Sequence, residues 1–372
     1  ARVQLELTTI AGIPRKGGFS GDGGPATNAK LNNPTGLHFD ELSGSLYIVD
    51  MNNHRIRMVD SQDQISTVAG NGVEGFSGDG GLATDARLCF PISIIGNDQG
   101  ELFIADKENY RIRKVGTDKK ISTIAGNGNY GNFEEEEVAT KSPLKYTASL
   151  AFNDEGELLF VSVPQDMTSV SVVLKIGIDD HIRKVAGNGV KGFSGDGGPA
   201  VDASFGGEIN IAIGKDREVY IADRYNSRIR MINSTGIIWT IAGDGESRHA
   251  GDGGPAAEAS FSSPNCVNVA LNSDLYVCDL NQVRTIYVPL HCFGLNSEDP
   301  NVCSGHGKCS KSDVCTCDQG WMGIDCSITH CFGFTSNLPD RVCSGRGTCV
   351  QHNKCHCEDG YYGNKCQQSP SS

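Results

Sequence analysis

Five near-identical tetrapeptides divide the first four fifths of this chain. Thr9-Ile10-Ala11-Gly12 returns as Thr67-Val68-Ala69-Gly70, Thr123-Ile124-Ala125-Gly126, Lys184-Val185-Ala186-Gly187 and Thr240-Ile241-Ala242-Gly243, at spacings of 58, 56, 61 and 56 residues. A period of this length marks an array of supersecondary units, each unable to bury its apolar face without a neighbour. In the second unit an apolar run, Ile92–Ile95, meets a turn at Asn97–Gly100 and a second apolar run, Leu102–Ala105, that ends at Asp106. Arg111–Val115 then alternates polar and apolar, and a turn at Gly116–Asp118 leads into Ile121–Ala125. These are four short antiparallel strands.

Four-stranded sheets that must stack face to face around an axis make a β-propeller. The expected fold class is therefore all-β, with a five-bladed β-propeller over residues 1–290. The fifth repeat supplies three strands and stops at Pro289, while residues 3–11 offer a spare one. This N-terminal strand is expected to complete the last blade and close the ring, removing both sheet edges. Six blades follow if another repeat precedes the sequence. No apolar leader precedes Ala1, which reads as a mature or trimmed end, and no apolar run reaches the 18 or so residues of a membrane span. Asp and Glu number 45 against 32 Lys and Arg, a net charge of -13, so a nucleic-acid partner is not expected.

Tyr47-Ile48-Val49-Asp50 is followed by Asn53 and Arg55-Ile56-Arg57, Ile104-Ala105-Asp106 by Asn109 and Arg111-Ile112-Arg113, and Ile221-Ala222-Asp223 by Asn226 and Arg228-Ile229-Arg230. On these residues the first 290 positions resemble the NHL-repeat family of propellers. Asp50 with Arg55, Asp106 with Arg111, Asp223 with Arg228 and Asp279 with Arg284 share an i, i+5 spacing across a hairpin. Recurring in four blades, the pair is expected to be a structural clamp, because a catalytic site is ordinarily single. The loop Phe19–Ala26 returns at Phe76–Ala83, Phe193–Ala200 and, with an altered start, Arg248–Ala256. Its carboxylates, Asp22, Asp79, Asp196 and Asp252, are candidate calcium ligands, but one per loop falls short of the usual six to eight oxygens, so no cofactor is expected.

The third repeat departs from this pattern. Glu134, Glu135, Glu136 and Glu137 replace the glycine loop, Val163 falls where the clamp aspartate belongs, and Pro164–Val170 lacks the arginine. Either the loop is a solvated acidic stretch or it is a partner or cation site.

Twelve of the 15 cysteines lie beyond residue 290. Two sets of six, Cys292 to Cys326 and Cys331 to Cys366, repeat the same intervals, so disulfides replace a core in two small modules, 291–327 and 328–367, and the compartment is oxidising. The Ser/Pro-rich tail is 368–372. Six cysteines allow 15 connectivities, and spacing does not choose among them. Cys315–Gly323 and Cys355–Gly363, however, resemble EGF-like modules of the kind found in tenascins and teneurins. That resemblance implies Cys292–Cys309, Cys303–Cys315 and Cys317–Cys326, then Cys331–Cys349, Cys343–Cys355 and Cys357–Cys366, and it places an O-fucosylation site at Thr348. Cys266 and Cys278 fall opposite each other about a turn centred on Asn272 and are expected to be bridged. Cys89 is expected to be a buried thiol. Asn233-Ser234-Thr235 is an N-glycosylation sequon in a turn.

The function expected is that of an extracellular, non-catalytic structural or adhesion protein that contacts other proteins, including copies of itself in a fibre or matrix. The alternatives are a metal-dependent lyase of the propeller type and a glycan or small-ligand receptor. A lyase needs histidines converging from several blades, and His38, His54, His181 and His249 occupy no equivalent positions in the repeat.

Overall fold

A computed structural model describes residues 9–164, 170–215, 217–270, 273–280 and 282–287, and interrupted stretches of 291–368. The chain divides into two compact units, a propeller unit of Ala1–Val269 and Leu275–Ile286 and a disulfide-rich unit of Tyr287–Ser372 together with Ala270–Asp274.

Five blades make up the first unit. Blade 1 contains Pro34–Asp40, Ser45–Asp50, Arg55–Val59 and Gln64–Ala69, with Gly24–Pro25 added beside the last strand. Blades 2, 3 and 4 begin at Pro91, Tyr146 and Ile209, and each is a four-stranded antiparallel meander. Blade 5 has three described strands, Pro264–Val269, Leu275–Asp279 and Gln282–Ile286. The helical turns among the propeller's described residues are three-residue 3₁₀ pieces.

Burial follows from stacking. Side chains alternate across a strand, and both faces of an interior blade meet a neighbour, so Leu102–Asp106 and Val219–Asp223 are buried at every position. Val49, Ile56 and Ala69 of blade 1 pack on Ile94, Leu102 and Ile104 of blade 2. The next interface joins Phe103, Ala105 and Ile112 to Leu150, Leu158 and Phe160. Val161, Val173 and Ala186 then meet Ile211, Val219 and Ile221 of blade 4. Each fully buried Ile or Leu contributes about 1.5–3 kcal/mol.

Two flanks behave differently. Leu37 is 65% exposed and Phe39 57%, although Ile94, Ile211 and Val267, which take Leu37's place in the other ladders, are buried. Val283, in the place of buried Ile56, is 70% exposed. The strand that the sequence assigns to closure, residues 3–11, lies outside the described residues up to residue 8. Where it re-enters, the Gly12 amide donates to Ala26 O at 3.0 Å, as Gly70 does to Ala83 and Gly126 to Ala139 in later repeats.

The second unit is held by short hairpins and disulfides. Gly307–Lys311 pairs with Val314–Cys317, and Gly347–Gln351 with Lys354–Cys357. Cys303–Cys315 and Cys317–Cys326 staple the first module, Cys343–Cys355 and Cys357–Cys366 the second. The side chains of Cys292, Cys309, Cys331 and Thr348 lie outside the described set, and with them the pairing Cys292–Cys309 and the partner of Cys349, which is itself disulfide-bonded. In equivalent places the His306 ring stacks on Trp321 at 3.4 Å and the Arg346 guanidinium lies 4.7 Å over Tyr361.

Candidate functional site

The polar residues of a regular blade form one connected tie. In blade 2, Asp106 ends the second strand fully buried and accepts from the Cys89 amide at 2.7 Å and from Asn109 Nδ2 at 2.7 Å. Its guanidinium partner is Arg113, at 3.2 Å, not Arg111. Arg113 is also fully buried and reaches Asp79 of the glycine loop at 2.6 Å. Blade 1 repeats this with Asp50, Arg57 and Asp22, and blade 4 with Asp223, Arg230 and Asp196. In blade 5, Arg284 pairs with Val277 as Arg57 pairs with Ile48, so it is the equivalent of Arg57; it meets Asp252 at 2.7 Å and Asp279 at 3.6 Å.

Arg55, Arg111 and Arg228 therefore have another job. Arg55 donates to the carbonyls of Asn53 and Asn71 and lies 3.7 Å over the Phe19 ring; Arg111 and Arg228 do the same over Phe76 and Phe193. The i, i+5 pairing is corrected to i, i+7 in blades 1, 2 and 4. Blade 5 is two residues shorter at its turn, which gave the misleading common spacing. Burial pushes the Asp106 carboxyl up to about 6 despite its hydrogen bonds from Asn109, Cys89 and Arg113, and raises Asp50 and Asp223 in the same direction.

The loop aspartates are already bonded to a cation. Asp22, Asp79, Asp196 and Asp252 each accept from an arginine at 2.6 or 2.7 Å, so a calcium ion would have to displace a guanidinium. The loop glycines serve close approach. A Cβ on Gly21, at φ +96°, would stand 2.7 Å from the Ala29 backbone, and Gly78 and Gly195 are in the same position against Ala86 and Ala203.

Blade 3 lacks the tie. Ser162 pairs with Val172 where Asp50 pairs with Arg55, so Ser162, not Val163, holds the clamp position. Leu174 replaces the buried arginine and joins the apolar core, and Asn132 follows Gly131 where Phe76 follows Gly75. Arginine fills the space above Gly72, Gly128 and Gly245, but a Cβ on the equivalent Gly189 would meet nothing within 4 Å. A cavity of about 320 Å³ stands there, lined by residues that include Asn132, Lys145, Ser162, Val172, Lys184 and Gly189.

The four glutamates sit beside it and are partly committed. Glu136 holds Arg183 at 2.6 and 2.8 Å, Glu135 accepts the Lys184 amide at 3.1 Å, and Glu137 carries one buried oxygen without a hydrogen bond. Glu135 thus does for blade 3 what Asp79 does for blade 2, where the Thr123 amide is the donor.

Among the described residues the one group of three metal-ligating side chains is Cys303, Cys315 and Cys326, and these sulfurs are committed to disulfides. His38, His54, His181 and His249 do not come together in such a group. Cys266 is bonded to Cys278 on the neighbouring strand. Cys89 is buried and unpaired, its thiol 3.7 Å from Glu74 and pushed up to about 12 by burial and that carboxylate. Asn233 accepts from the Thr235 hydroxyl at 2.8 Å and from the Ile237 amide in an Asx turn, and Ser234 and Thr235 are exposed.

These features define a class: the chain is an NHL-type β-propeller followed by EGF-like modules. Residues 300–329 match the Teneurin-like EGF domain family and residues 336–366 the EGF-like domain family. Over 243 residues the chain is 30% identical to Teneurin-1 of Mus musculus, covering 59% of this chain and 9% of that protein. It is 26% identical over 284 residues to NHL repeat-containing protein 2 of Homo sapiens, covering 68% of this chain and 38% of that one. A crystal structure of a nidogen/laminin complex contains a chain alike at a TM-score of 0.45 and 14% identity, covering 70% of this chain and 79% of its own. Virginiamycin B lyase from Staphylococcus aureus is alike at 0.41 and 12%, covering 69% of this chain and 70% of its own. The chain spans about a tenth of the length of the teneurins it matches and less than half of the NHL repeat-containing protein.

Proposed function

We propose that this chain is an extracellular, non-catalytic adhesion or structural module whose propeller and EGF-like modules hold protein-binding surfaces. The observation that carries this reading is the joining of a Teneurin-like EGF segment, stapled by disulfides, to a propeller whose repeated motif aspartates and their arginines are engaged in internal ties in the regular blades. Groups held this way stiffen a scaffold, since each tied aspartate is engaged by an arginine and not set free to act as a general base. Disulfides of this density belong to an oxidising compartment, and the excess of acidic residues suits protein rather than nucleic-acid partners. Self-association into a fibre or matrix is the more specific form of the proposal, with Asn233 and Thr348 as glycan carriers.

Beads coated with the full chain test it. Bead clustering, or capture of the beads by cells, is the expected result, together with assemblies in negative-stain electron microscopy at high protein concentration. Dispersed beads that bind no cell type, or stoichiometric zinc accompanied by lyase turnover, would overturn it.

A further inference from the structure

We propose that the empty slot of blade 3 binds a carboxylate presented by an acidic side chain of a protein partner. In the four regular blades this place already holds a carboxylate. The backbone amides of Asn32, Cys89, Gly206 and Ser263 donate to Asp50, Asp106, Asp223 and Asp279 at 2.7 to 2.9 Å. Lys145 occupies the same position in blade 3, following Leu144 as Cys89 follows Leu88. Opposite it stands Ser162, and the Lys145 amide has no acceptor among the described residues. Among the described residues blade 3 keeps the donor and presents no carboxylate to it.

The lining supplies the rest of an anion site. Lys145 takes the place of Cys89 and Lys184 that of Thr123, so the repeat gains two ammonium groups where the others have none. Both are half-buried, and neither ammonium has a carboxylate partner among the described residues. Two lysines, an unclaimed amide and a cavity of about 320 Å³ suit an oxygen anion entering from solvent, with charge-assisted hydrogen bonds as the attraction. The three other blades that stack an arginine on a loop phenylalanine fill the same volume themselves. The neighbouring Glu135 and Glu136 are engaged with the Lys184 amide and Arg183, which lessens their opposition to an incoming anion. This inference names a contact for the adhesion reading but does not stand on it, since the slot can be titrated on the isolated chain.

Full chain labelled with ¹⁵N-lysine is titrated with N-acetyl-aspartate amide, N-acetyl-asparagine amide and a heparin disaccharide. The expected result is a saturable shift of the Lys145 amide with the aspartate probe and none with the asparagine probe. Lys184→Met should weaken the aspartate probe roughly tenfold, the loss of one charged contact. Ser162→Asp and Asn132→Phe should abolish the shift by restoring an internal carboxylate or ring. Calorimetry of each variant checks that the propeller transition is retained. An absent shift, equal response to both amides, or an unchanged response in Asn132→Phe and Ser162→Asp that both retain the transition would refute the proposal. Tighter binding of the disaccharide would replace it with a glycan site. Failure of bead adhesion with a positive titration would sink the function proposed above and leave the slot intact.

Discussion

Exchanging Arg113 for methionine should cost far more than the same exchange at Arg111, although Arg111 is the residue directly across the ladder from Asp106. Arg113 is fully buried between Asp106 at 3.2 Å and Asp79 at 2.6 Å, and it donates to the Ser77 carbonyl at 3.2 Å. Its removal leaves the Asp106 charge without its guanidinium, a loss of about 3–5 kcal/mol for breaking a buried pair. Arg111 has no carboxylate partner and a partly exposed head. Losing its two carbonyl contacts and its place over Phe76 should cost about 1–2 kcal/mol. At roughly 2–4 °C per kcal/mol for a unit of this size, the propeller transition should fall by roughly 6–20 °C in Arg113→Met and by a few degrees in Arg111→Met. Adding Asp106→Asn to Arg113→Met removes the stranded charge and should recover part of the loss. Scanning calorimetry of the full chain gives the ranking. An equal or larger loss at Arg111, or no recovery in the double variant, would refute the i, i+7 tie.

Acidity offers a second check. Asp106 titrates near 6 in the folded protein against 3.8 as its ordinary value, so between these limits the folded state binds the proton more tightly than the unfolded chain. Stability should therefore fall as pH rises from about 4 to about 6, by about 3 kcal/mol from this group, and Asp106→Asn should flatten that part of the profile in urea titrations. Replacing Cys266 and Cys278 by alanine opens a loop of 12 residues and should lower propeller stability by about 2–4 kcal/mol, read by the same calorimetry. Cys89 should resist iodoacetamide in the native protein at pH 8 and take up a single adduct after unfolding without reductant, counted by intact mass. Peptide mapping of protein from an animal cell line should find an N-glycan on Asn233 that Thr235→Ala removes.

Strand order and the odd character of the third repeat could be read from periodicity, and Cys266–Cys278 from the hairpin that places the two cysteines opposite each other, because these depend on local pattern; the described disulfides of the EGF-like modules followed from the resemblance and not from spacing. The identity of the clamping arginine could not. In Arg-Ile-Arg both guanidinia point to the same face, so strand alternation does not choose between them. Blade 5 held the discriminating signal: Gln282-Val283-Arg284 keeps only the second arginine of the pair, and Arg284 alone reaches both Asp279 and Asp252. Arg284 stands opposite Val277 as Arg57 stands opposite Ile48, which singles out Arg57 over Arg55. The same one-residue uncertainty placed the blade 3 clamp at Val163 instead of Ser162. The cavity was invisible for a different reason, since it exists through what Val172, Leu174 and Asn132 fail to occupy.

Each tie is contained within one blade and the loop that leads into it, so no sector of the disc borrows its polar network from the next. Abandoning the network in one sector therefore leaves the others standing, provided apolar contact still fills the seam, as Leu174 does. A repeating array has thereby acquired, at its third unit, a mark that the regular units lack, and a molecule approaching it can tell that unit from its neighbours.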